Sequence, residues 1–126
     1  MYEVSVENPG VSVFAVKSEG HQIDIDTKGG GMSPSAVLLV SLGSCIGEYV
    51  NEYLEGTHIP SNGFTVSVAA EFAHEKPVSS RSIKEVIKMN VEGLDEKRKE
   101  GIVRFINNCP VHNTLKDNPE IKTVLE

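Results

Sequence analysis

The chain carries two cysteines, Cys45 and Cys109, and each has neighbours that bear on what a thiol can do. Cys45 closes the run "GGGMSPSAVLLVSLGSC" and lies between Gly43 and Gly47 in a nearly uncharged apolar stretch. Glycine inside a helix costs about 1 kcal/mol relative to alanine, so two of them four apart imply that something packs very close there, either another helix or a substrate. Cys109 directly precedes Pro110. If Pro110 is the first helical residue, Cys109 is its cap, and the positive end of the helix dipole is expected to lower the thiol's pKa. Taken one at a time, Cys45 also reads as a small core residue and Cys109 as part of an irregular connector. Taken together they offer a redox couple, provided the two helices bring the Cα atoms within about 4.4–6.8 Å.

Other chemistries find fewer parts. A metal site could draw on Cys45, Cys109, His112 and the scattered His21, His58 and His74, but there is no CxxC and no HxxxH, so no metal is expected. His112 follows Cys109 by three residues, yet no third group is evident to orient it for Cys–His hydrolysis. Gly29–Gly31 lack both GxGxxG and a GK[ST] ending, so they read as a flexible loop and not as a phosphate cradle. Glu92, Asp95, Glu96 and Glu100 read as a solvated helix face.

The elements that must position the thiols follow from periodicity. "MYEVSVE", with Tyr2, Val4 and Val6 on one face, "VSVFAVKS" and "HQIDIDT" alternate as three strands of an antiparallel meander, the last two joined by "EG". Ser33 is placed to cap a helix starting at Pro34 and running to about Glu55, with Gly56 as its stop. Its first half is apolar all round, which predicts burial on most sides. "GFTVSVAAEFAHE" and "RSIKEVIKMNVEG" read as a strand pair linked by Lys76–Ser80, the second alternating Ile83, Glu85, Ile87, Met89 and Val91. An amphipathic helix over "LDEKRKEGIVRFINN", a short helix "PVHNTLKDN" and a last strand "IKTVLE" complete a single α+β domain over residues 1–126.

A length of 126 residues fits one domain with a real core. A net charge of −6 argues against nucleic acid or an anionic membrane surface as the main partner. The longest apolar stretch, Ala36–Ile46, falls short of the roughly 20 residues that span a bilayer. "MYEVSVENPG" has no charged and then apolar leader, so a cytoplasmic protein with reduced thiols is expected.

Two segments extend this reading. "GGGMSPSAVLLVSLGSCIG" resembles the helix of OsmC/Ohr proteins that runs from a proline to the first cysteine, and "CPVHNTL" resembles their second-cysteine motif. The order of elements fits the family over nearly the whole chain. The resemblance implies antiparallel sheets around a long central buried helix in an intertwined homodimer, with thiol sites at the interface and Gly43 and Gly47 permitting close approach. It also implies a hydroperoxide reductase of oxidative or osmotic stress defence that uses no cofactor. Cys45 would attack an apolar organic hydroperoxide, Cys109 would resolve the product to a disulfide, and an external dithiol would restore both. Peroxidase members pair a glutamate just after the helix-starting proline with an arginine from the N-terminal strands. Here Ser35 and Ala36 follow Pro34, and no arginine precedes Arg81. In this the chain looks like the divergent OsmC-like branch, and the resemblance leaves Lys28 as the candidate cation for activating the thiolate. A non-catalytic module that binds a small apolar ligand in the same fold is the alternative reading.

Overall fold

A computed structural model describes residues 3–89 and 91–126. Tyr2 and Asn90, which the strand readings included, lie outside the described residues. The chain divides into two units, Met1–Leu39 and Val40–Glu126.

The first unit is the meander. Strands β1 (Ser5–Glu7), β2 (Val13–Ser18) and β3 (His21–Asp26) pair antiparallel in the order β1-β2-β3. The "EG" turn holds Glu19 and Gly20 at φ 48° and 81°, the left-handed pair that a two-residue hairpin requires. The glycine run is more constrained than a flexible loop. The main-chain N–H of Lys28 donates to Asp26 Oδ1 at 2.8 Å, and the Ser12 hydroxyl donates to the same oxygen at 2.9 Å. These bonds hold the Asp26 carboxyl below its usual range, the Lys28 N–H contributing most. A Cβ on Gly30 would overlap that carboxylate, so the glycine is what lets the chain fold back to the Ile25–Met32 bridge. Helix α1 (Pro34–Gly56) starts in this unit, with Ser33 Oγ accepting from the Ala36 N–H at 3.2 Å.

The second unit holds the rest of α1, the pair β4 (Thr65–Ala70) and β5 (Ile83–Lys88), then α2 (Glu96–Phe105), a 3-10 turn at Ile106–Asn108 and α3 (Pro110–Asp117). Asp95 caps α2, its Oδ1 accepting from the Arg98 N–H at 2.8 Å. Leu42, Ile46, Val50 and Leu54 recur every fourth residue and form one stripe of α1. They close on Ile102, Ile106 and Cys109, and these seven residues are the core. Each large aliphatic side chain there contributes about 1.5–3 kcal/mol by leaving water.

Two expectations are corrected. Within this chain the close neighbour of Gly43 and Gly47 is neither a second helix nor a substrate. They face β4 of the same chain: a Cβ on Gly43 would lie 3.2 Å from Val68 Cγ2, and one on Gly47 would lie 3.7 Å from Phe64. The glycines let the sheet sit down on the helix. "IKTVLE" forms no strand. Among the described residues no strand pairs with it, and Ile121 and Leu125 are 87% and 97% exposed. Alternation alone does not make a strand without a neighbour to take its hydrogen bonds.

Candidate functional site

Both thiols lie in the second unit. Cys45 is half-buried on α1, and Cys109 is fully buried as the N-cap of α3; both are free. Cys45 packs against the core cluster that contains Cys109, near enough to influence its thiol. Cys109 is fixed from every side. Its N–H donates to the Ile106 carbonyl at 2.9 Å, its carbonyl accepts from the Asn113 N–H at 3.0 Å, and its Sγ accepts from the His112 N–H at 3.3 Å. Pro110 makes this geometry natural, since it needs no N–H partner at the first helical position.

The electrostatics run opposite to the dipole expectation for Cys109. Burial pushes its thiol up to about 11, and the neighbouring Cys45 side chain adds to the rise; the N–H groups of His112 and Val111 recover only part of it. The helix terminus does favour a thiolate, but the loss of water around a fully enclosed sulfur outweighs it. Cys109 is therefore a protonated thiol at neutral pH. Tyr49, one helical turn beyond Cys45, is pushed above its ordinary range by burial and then by the Cys45 sulfur. Its ring packs against Phe105 with centroids 6.0 Å apart, and Tyr53 meets the same ring at 5.9 Å. Tyr49 therefore sets an aromatic ring near the thiols.

This asymmetry predicts selective labelling. Iodoacetamide at pH 7.5 is expected to modify Cys45 and leave Cys109 untouched, because the Cys109 thiolate fraction is about a hundredfold below that of an ordinary thiol. Peptide mass mapping reads this directly, and equal labelling would contradict it. The raised pKa also fixes the sign of its pH linkage: the contribution to folding is fully present below the ordinary 9.0 and is lost as pH climbs through about 11.

Beside Cys109 stands a pair that sequence reading missed. His112 Nδ1 lies 3.0 Å from Glu85 Oε2, with side-chain exposures of only 17% and 23%. Glu85 pairs with Val68 across the sheet, so it lies on the face that carries Val66, Val68 and Ile87 toward α1. The signal was present in the alternation Ile83, Glu85, Ile87, Met89: a carboxylate on an apolar face needs a partner. Glu85 also lines an open groove of about 570 Å³ beside Ile87, Met89 and Ile102. Lys28 belongs to the first unit, in the Asp26 turn described above. Among the described residues, no three His, Cys, Asp or Glu side chains cluster to hold a metal ion. No helix among them is long and apolar enough to cross a membrane.

The OsmC-like protein family model matches residues 27–124 and so takes in both thiols and every element that holds them. The chain belongs to the OsmC-like family. Solved structures agree in fold. The OsmC-like protein of Mycoplasma pneumoniae superposes with a TM-score of 0.81 at 22% identity, over 92% of this chain and 87% of that one. The organic hydroperoxide resistance protein OsmC of Legionella pneumophila gives 0.66 at 14% identity, over 97% and 93%. The organic hydroperoxide resistance protein of Elizabethkingia anophelis gives 0.64 at 15%, over 97% and 92%. None of the curated proteins compared with this OsmC-like chain matches it.

Proposed function

We propose that this OsmC-like protein reduces organic hydroperoxides with its two thiols. The observation that carries the proposal is that the free thiols of Cys45 and Cys109 share one core cluster, one half-buried and one enclosed. The roles follow from that difference. Cys109 is the thiol that stays protonated, so the nucleophilic sulfur is Cys45.

A Cys45 thiolate attacks the terminal oxygen of ROOH. The S–O bond forms as the O–O bond breaks, the alkoxide leaves and takes a proton to become ROH, and Cys45 is oxidised to a sulfenic acid. The Cys109 sulfur then attacks the Cys45 sulfur. The S–S bond forms, the S–O bond breaks, and the departing hydroxide leaves as water with the proton that Cys109 gives up. An external dithiol reduces the disulfide and returns both thiols. The Tyr49 ring near Cys45 favours apolar or aromatic R groups over hydrogen peroxide.

The working unit in this reading is a homodimer. Leu38 and Val40 in the apolar half of α1 are 42% and 46% exposed, and a second copy is the natural cover for them. The test is turnover with dithiothreitol as reductant. Cumene hydroperoxide is expected to be consumed faster than hydrogen peroxide, and protein inert to both would overturn the proposal.

A further inference from the structure

Glu85 is costly where it stands. It occupies a position on the inward face of β5 where Ile83 and Ile87 are its apolar neighbours two residues away, and it is only 23% exposed. Burying a carboxylate there is worse than burying leucine unless the charge is used. Its one side-chain partner is the His112 imidazole at 3.0 Å. His112 in turn gives its main-chain N–H to Cys109 Sγ at 3.3 Å, and Cys45 packs against the cluster that holds Cys109. A continuous set of contacts therefore runs from β5 through the first turn of α3 to the Cys109 sulfur.

We propose that Glu85 and His112 are a positioning pair that fixes the first turn of α3 on β5 and so holds the Cys109 sulfur in line with Cys45 for disulfide formation. The pair touches neither peroxide nor the reacting oxygen. It acts on the step in which Cys109 attacks, and on the stability of the Cys45–Cys109 disulfide. Helix α3 is only eight residues long and has no buried residue of its own beyond its cap; Val111 packs on the core, and the Glu85–His112 pair adds a polar tie to the sheet. The proposal deepens the two-thiol reading and rests on it, but it concerns the sulfurs' alignment and can be tested without peroxide.

The experiment uses diamide, which removes two electrons and two protons from a dithiol and becomes the hydrazine. Disulfide formation is followed by mass mapping in the full-length protein and in Glu85→Gln, Glu85→Leu and Glu85→Ala variants. Equilibrium against glutathione gives the potential. Glu85→Gln keeps an oxygen acceptor for His112 and is expected to oxidise within about threefold of wild type. Glu85→Leu fills the site with apolar volume and is expected to keep the thermal midpoint of wild type, yet to form the disulfide about tenfold more slowly. Its disulfide is expected to be about tenfold less stable, a potential about 30 mV higher. Glu85→Ala is expected to follow Glu85→Leu, and if it fails to fold, Glu85→Leu alone decides.

Wild-type rate and potential in Glu85→Leu would overturn the proposal, as would equal losses in Glu85→Gln and Glu85→Leu. So would a wild-type protein in which diamide links no Cys45–Cys109 pair. Protein that ignores cumene hydroperoxide but shows this Glu85 dependence with diamide would sink the peroxidase reading and leave the positioning pair standing.

Discussion

Cys45→Ser is expected to abolish hydroperoxide consumption, by a factor on the order of a thousand or more, because it removes the atom that attacks. Cys109→Ser is expected to behave differently. It keeps the nucleophile, so one equivalent of cumene hydroperoxide is consumed, and the protein then stops as the Cys45 sulfenic acid. Dimedone traps that species, and excess peroxide carries it on to the sulfinic acid. The contrast follows from burial. Cys45 is the thiol that reagents can reach, whereas Cys109 is fully enclosed and kept protonated with a pKa near 11. If Cys45→Ser consumes peroxide at the wild-type rate, or if the two variants behave alike, the assigned roles are wrong.

The second large effect is on the scaffold. Ile46 is fully buried at the centre of the α1 stripe, in the cluster that also encloses Cys109. Ile46→Ala leaves a cavity there, and substitutions of this kind cost about 2–5 kcal/mol. A domain with a stability of about 5–15 kcal/mol loses a large share of it, and the thermal midpoint is expected to drop by roughly 10 °C. Val103→Ala serves as the control. Val103 is 65% exposed on α2, and its truncation is expected to stay within about 0.5 kcal/mol. Calorimetry on the three proteins checks the pair of expectations, and equal midpoints for wild type and Ile46→Ala would contradict the core described here.

The sequence made some of this plain, and the limits have physical causes. Caps were readable because they are local. Ser33 before Pro34 and Cys109 before Pro110 each lie within three residues of the N–H they accept from, whereas Asp95, read as part of a solvated face, is the cap of α2. The strand pair was readable because its period is short; the Leu42, Ile46, Val50 and Leu54 stripe was not, because the first half of α1 is apolar all round. What the sequence hid depends on partners distant in the chain. The Cys109 cap was visible, but the burial that reverses its pKa comes from α1 and α2, so the local dipole pointed the wrong way. Gly43 and Gly47 announced a close approach without saying that β4 makes it. Glu85 could be placed in an alternating strand, yet its meaning needed His112 from another element. "IKTVLE" alternates well enough for a strand, but a strand needs a neighbour that this chain does not provide.

The central claim is that Cys45 and Cys109 form one redox couple driven by peroxide, and disulfide mapping tests it most directly. Reduced protein is treated with one equivalent of cumene hydroperoxide, quenched with an alkylating agent, digested and analysed by mass. The expected result is the loss of both free thiols and one linked peptide pair joining Cys45 to Cys109. Two intact thiols, or an oxidised Cys45 beside a free Cys109 in the wild-type protein, would contradict it.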